Sequence, residues 1–110
     1  GGMGDNIRPA LYGARYEAIV ANHATKPATE IATIAGKYCE SGDVLVWDAR
    51  IAPVRPGDVI AVPVSGAYTP SMASNYNLNG RPAMVLVENG TSQLLRRRES
   101  YEDMIAQDVI

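Results

Sequence analysis

"AMVLVENGTSQLLRRR", residues 83–98, reads as a single antiparallel hairpin and sets the class of the fold. Strand-type runs, 83–89 and 92–98, flank Asn89-Gly90, the dipeptide that best tolerates the two left-handed positions of a type I′ turn. Similar short runs recur upstream as "YEAIVAN" (16–22), "EIATIAG" (30–36), "DVLVWD" (43–48) and "DVIAVPV" (58–64), each with the alternation of a half-buried strand. Breakers separate them: Lys26-Pro27, Ser41-Gly42, "APVRPGD" (52–58) and "NLNGRP" (77–82). Six strands at this spacing predict a mainly β domain, a small antiparallel sandwich or barrel with short helical turns. Helical character is confined to the tail, "ESYEDMIAQDVI" (99–110), where Ser100 suits an N-cap and Asp103 the capping-box position. The stretch "SGAYTPSMASNYN" (65–77) fits no strand. Its small and hydroxyl residues suit a loop or helical turn lying close to something else, although a plain surface connection is the simpler reading.

Bulk properties narrow the function. The 110 residues fit one domain, and a net charge of −2 gives no electrostatic case for nucleic acid or an anionic membrane. No apolar run approaches the roughly 20 residues of a membrane-spanning helix. One cysteine cannot close a disulfide within the chain, so a reducing, cytoplasmic setting is expected. The opening "GGMGDNIRPALYG" (1–13) reads either as an expression remnant followed by a turn or as the interior of a longer protein.

That cysteine lies in "KYCESGD" (37–43), with Glu40 beside it and Asp43 close behind. A lone Cys is ordinarily a small buried hydrophobe. As a reactive group it lacks a thiolate-forming partner, since His23, the sole histidine, shows no dyad spacing. Neighbouring carboxylates favour the neutral thiol, a poor nucleophile but a serviceable proton donor. Lys37 opposes this if residues 37–39 form a strand, because it then shares a face with Cys39. Arg8 is the second candidate. Pro9 predicts an extended Arg8 that caps a helical turn in "PALY", with Tyr12 on the neighbouring surface. A guanidinium fork beside a phenol suits a carboxylate, whereas spacing alone favours an exposed Arg beside a core Tyr. "RRR" (96–98) reads as a solvated strand edge and "NGT" (89–91) as part of a hairpin turn. Metal-ligand, phosphate-cradling and triad patterns are missing from the sequence.

Taken in order, "IRPALY", "CESGD" and "GAYTPSMASNYN" resemble the C-terminal part of the diaminopimelate decarboxylases, pyridoxal-phosphate enzymes with an alanine racemase-like fold. The resemblance runs from "GGMGDNIRPALYGARY" to "RRRESYEDMIAQD", and Glu rather than Asp after the Cys favours this branch over the ornithine and arginine enzymes. It implies that residues 1–110 are the C-terminal β domain, with residues 1–15 leaving an N-terminal (β/α)8 barrel that supplies the cofactor-holding lysine and the phosphate site. Neither Lys26 nor Lys37 matches that lysine, so "GGM" reads as native sequence and the chain as part of a longer enzyme, inactive alone. The implied reaction converts meso-2,6-diaminopimelate to L-lysine and CO2. By the same resemblance Cys39 is the proton donor, Glu40 binds the distal ammonium of the substrate, and Arg8 and Tyr12 bind its distal carboxylate. Tyr68 is implied to contact both substrate and pyridoxal 5′-phosphate. The family is dimeric, with Cys39 and Glu40 reaching the partner's barrel while Arg8, Tyr12 and Tyr68 lie on the opposite side of the shared site. Cys39 and Glu40 can face one site only if "CESGD" turns or bulges. The competing reading is a stand-alone β module that binds an amino-acid-like ligand or a protein partner.

Overall fold

The computed structural model describes residues 1–109. Six strands, β1 (Ile19–Val20), β2 (Glu30–Ala35), β3 (Val44–Ile51), β4 (Ile60–Ala61), β5 (Met84–Glu88) and β6 (Thr91–Arg96), pair antiparallel as β1–β4, β2–β3 and β5–β6. Three one-turn helices, α1 (Arg8–Tyr12), α2 (Thr69–Met72) and α3 (Tyr101–Met104), punctuate them. The architecture is therefore mainly β and antiparallel, as the strand spacing predicts. Asn89 and Gly90 take φ of 51° and 75° at the β5–β6 turn, which is the type I′ signature. Ser100 Oγ accepts the Asp103 N–H while the Asp103 carboxylate accepts the Ser100 N–H, closing the capping box of α3.

Strand lengths depart from the pattern for local reasons. β1 and β4 pair over two residues each instead of the seven the alternation suggests. Beyond Val20 the Asn22 side chain takes over the pairing, accepting from Val59 N–H (2.9 Å) and donating to Asp58 Oδ1 (2.7 Å). Pro63 removes a ladder donor at the other end. β3 instead runs past Asp48 to Ile51. Ala32 and Ile34 of β2 face Ala49 and Val46 of β3, so two steps on one strand oppose three on the other. Asp48 absorbs the extra residue with φ of 50°, and the bulge brings Val46, Ala49 and Ile51 to one buried side. These three pack with Ala18, Val20 and Ala52 as the core.

That core is small for the chain. The accessible surface is 8124 Å², against about 5,900 Å² for a compact monomer of this size. The radius of gyration, 15.5 Å, likewise exceeds the roughly 13 Å of a close-packed chain. Trp47 and Ile31 stand about 70% exposed, and every residue of β5 and β6 is exposed. So much exposed apolar surface is unusual for a free-standing monomer.

An ion pair and its amide partners tie the C-terminal third together. Arg81 Nη1 donates to Glu99 Oε1 (2.7 Å) and to Asn75 Oδ1 (3.0 Å), while Asn75 Nδ2 donates to Glu99 Oε2 (2.6 Å). Bonds from the Arg81 backbone and side chain, then from Asn75, lower the Glu99 carboxyl from 4.5 to about 2. A depressed folded value means that the tie is fully present above pH 4.5 and is lost as pH falls from there toward 2. Amide protection factors at Arg81 and Glu99, corrected for intrinsic exchange, are expected to fall over that window, and Glu99→Gln to abolish the pH dependence. A flat profile in the native chain would refute the role of the carboxylate.

Candidate functional site

The N-terminal segment is the hub. Its Met3 N–H donates to Asp43 Oδ1 (2.6 Å), and Gly4 O accepts the Ser74 N–H (3.0 Å). Residues 2–5 thereby join the loop holding Cys39 to the loop holding Tyr68. Gly4 is required for this approach, because a Cβ there would run into the Tyr38 phenol. Gly2 and Gly4 of "GGMGD" thus pack closely against Tyr38.

α1 follows directly. Two expectations for Arg8 are corrected here: it is the first helical residue rather than an extended cap, and Ile7 occupies the cap position. Asn6 Oδ1 accepts the Arg8 N–H (3.3 Å), which stabilises the turn that Pro9 was expected to start one residue later. Gly13 closes the helix at φ of 63°, donating to Pro9 O. The turn brings the Arg8 guanidinium to 5.6 Å from the Tyr12 ring centre and 5.1 Å from that of Tyr68. Both phenols are more than 60% exposed, so Tyr12 is not a core residue. Among the described residues Arg8 has no carboxylate partner. A cation stacked on two aromatic faces with its fork free is a ready carboxylate receptor.

Tyr68 is held there against its backbone preference. It takes φ of 68° ahead of α2, and its carbonyl accepts from Ser71 N–H (3.2 Å), Met72 N–H (3.1 Å) and Ser71 Oγ (2.8 Å). Buried Thr69 donates its hydroxyl to Ser65 O beneath it. A bulky non-glycine residue in this region is uncommon and strained. The stretch 65–77 accordingly contains a helical turn, and it does lie against its neighbours.

Residues 37–40 form bends rather than a strand, so Lys37 shares no strand face with Cys39; its Nζ lies 5.9 Å from the Tyr38 ring centre. The turn that was needed for Cys39 and Glu40 to serve one site is present. Cys39 is exposed, which overturns the buried-hydrophobe reading. Glu40 Oε1 accepts from Gly42 N–H (3.3 Å) and Ser41 Oγ (3.4 Å), long bonds that leave its carboxylate on the surface. Asp43 is not a neighbour of the thiol in function: it is buried, and its Oδ2 accepts the Tyr38 N–H at 2.8 Å. Tyr38 in turn stacks on Tyr76 at 6.0 Å and 11°. Asn77 Oδ1 accepts the Cys39 N–H (3.2 Å), a contact that sequence reasoning missed although "SNYN" was singled out as part of an unusual loop. His23 lies by Asp58 (3.4 Å) and takes no part.

Two groups result, Arg8–Tyr12–Tyr68 and Cys39–Glu40. Among the described residues no hydrogen bond, ion pair or ring contact joins them. Clefts of about 470 and 370 Å³ lie on the chain, and none of the five residues lines either. Toward pyridoxal phosphate the donor set fits one wall: Tyr68 offers an exposed phenol stacked on a cation, while neither Lys26 nor Lys37 stands in either group.

Comparison with known proteins identifies the family. Residues 1–66 match the family model "Pyridoxal-dependent decarboxylase, C-terminal sheet domain". A diaminopimelate decarboxylase of Bacillus subtilis is 53% identical over 109 residues, and one of Synechocystis is 49% identical over 110. The chain is covered to 99% and 100% in these matches, yet spans about a quarter of each relative, 25% and 24%. Among solved structures, a diaminopimelate decarboxylase from M. jannaschii superposes with a TM-score of 0.89 at 44% identity, covering 100% of this chain and 25% of that one. The same protein has been solved in complex with L-lysine.

Proposed function

Because the chain belongs to the pyridoxal-dependent decarboxylases, through the C-terminal sheet domain of that family, we propose that it works as the sheet domain of a diaminopimelate decarboxylase. In this role residues 1–110 supply a proton donor and substrate-recognition groups, and residues 1–15 lead in from a cofactor-holding barrel. The observation behind this reading is the division of the candidate residues into two exposed groups that one chain does not join. A stand-alone binding module would gather them in a single pocket. A homodimer in which each chain serves two active sites uses both groups, and the 8124 Å² surface has room for barrel and partner contacts.

Pyridoxal 5′-phosphate, when bound, supplies an electron sink for the pair left on Cα as CO2 departs. Tyr68 would contact it from this chain. Cys39 Sγ then gives its proton to Cα, forming the C–H bond of L-lysine and leaving a thiolate to be reprotonated from solvent. Glu40 pairs with the distal ammonium of meso-diaminopimelate. The Arg8 fork and the Tyr12 hydroxyl take the distal carboxylate, which lysine and ornithine lack. An exposed thiol working in a reducing cytoplasm suits these roles.

The test is a chimera in which this chain replaces the matching quarter of the Bacillus subtilis relative. The chimera is expected to release CO2 from meso-diaminopimelate, and the 110-residue chain alone to release none. Activity of the chain alone, or a folded, cofactor-loaded chimera without activity, would overturn the reading. Within an active chimera, Arg8→Ala is expected to raise KM about 10- to 100-fold through loss of a charge-assisted bond pair. Arg8→Lys should recover little of it, because a point charge does not replace the fork. An unchanged KM would remove Arg8 from substrate binding.

A further inference from the structure

We propose that Asn77 is a positioning residue for Cys39, and that the 75–79 turn exists to aim the thiol from outside its own loop. This rests on the reading of Cys39 as proton donor. The loop at 37–42 contains no regular structure, and its internal bonds close around Cys39 without including its amide: Glu40 N–H to Tyr38 O, Asp43 N–H to Glu40 O, and Val44 N–H to Gly42 O. The Asp43 carboxylate takes the Tyr38 N–H. Among the described residues the Cys39 N–H has one partner, the Asn77 side chain 38 positions away. Beside it, Tyr76 stacks on Tyr38. Consecutive residues of one loop thus grip consecutive residues of the other, a two-point contact that fixes both position and rotation.

The gripping turn is itself preorganised. Asn77 adopts φ of 53° and ψ of 30°, a left-handed conformation that Asn tolerates better than most residues. Asn79 Nδ2 donates to Tyr76 O (3.3 Å) and Asn77 O (3.4 Å). Asn75 Nδ2 donates to Asn79 O (3.1 Å) and to Glu99, which Arg81 holds. The three asparagines have separate tasks: Asn75 anchors the turn, Asn79 shapes it, and Asn77 reaches out. Proton transfer requires the donor within hydrogen-bond reach of its target, and misplacement by an ångström can cost on the order of a hundredfold. A small exposed loop without such a grip would not hold that tolerance.

Asn77→Gly and Asn77→Asp separate placement from backbone shape. Glycine keeps the left-handed turn and deletes the acceptor, whereas aspartate keeps both. In the chimera, Asn77→Gly is expected to lower kcat about tenfold with KM within about twofold. Asn77→Asp should restore kcat, since its carboxylate keeps an acceptor for the Cys39 N–H. Independently of activity, Cys39 amide exchange should quicken about tenfold in Asn77→Gly, while protection of Ile34 and Val46 in β2–β3 stays unchanged. That measurement is made on the 110-residue chain and on the chimera. Equal Cys39 exchange in the native and glycine forms overturns the proposal whatever the activity. Quicker exchange with an unchanged kcat overturns it as well, leaving a contact without a role. An inactive native chimera counts against the functional reading, and exchange then decides the grip by itself.

Discussion

Replacing Cys39 with alanine in the active chimera is expected to lower kcat for L-lysine formation by about 10²- to 10⁴-fold, the usual contribution of a positioned general acid. The thiol is exposed and its backbone is pinned by Asn77, so removing one sulfur atom disturbs no packing within this chain. Folding and cofactor content should therefore match the native protein, and the loss should fall on kcat rather than KM. Serine gives a finer test. It keeps a hydroxyl at nearly the same place, but a much weaker acid, so its rate should remain well below native. An alanine variant within threefold of native would show that the proton comes from elsewhere, and Cys39 would lose its assigned role.

The second large effect concerns shape. Asp43→Ala is expected to destabilise the chain by about 2–4 kcal/mol, because it strips the acceptor from two backbone N–H groups, those of Met3 and Tyr38. These bonds tie the N-terminal segment to the cysteine loop. The variant should therefore lose Arg8 geometry as well as Cys39 geometry, although it touches neither. Asp43→Asn retains one acceptor and should cost less. Gly36→Ala attacks the same point from the other side, since a Cβ there would overlap the Asp43 carboxylate. Denaturant unfolding followed at Trp47 measures all three. Native-like stability of Asp43→Ala would mean that solvent replaces the buried carboxylate without penalty.

Much of the fold was legible because its signals are local. Asn89-Gly90 dictates a turn type from its own backbone preferences, and the Ser100–Asp103 box is complete within four residues. The β1–β4 pairing was overestimated because alternation reports which faces are apolar and not where a side chain such as Asn22 displaces the ladder. β3 was cut short at Asp48 because a bulge breaks the period that a strand is read by. Arg8 was misplaced by one position because the steric rule before proline yielded to the Asn6 bond. At the site, Cys39 and Glu40 stood out by type, and family resemblance gave them roles. Asp43 and Asn77 act on partners 40 and 38 positions away. Such pairings exist only once the chain is folded, so nothing in their neighbourhoods announces them.

The β5–β6 hairpin has a further consequence, for the life of the chain in the cell. Both faces of the ribbon are exposed, and an isolated two-stranded ribbon is marginal in water. It should be the first element to breathe open and the preferred point of entry for a protease, near Asn89-Gly90. Docking of a covering body would close that opening. Survival of the chain against proteolysis would then report on assembly, so that unassembled copies are cleared and assembled ones endure.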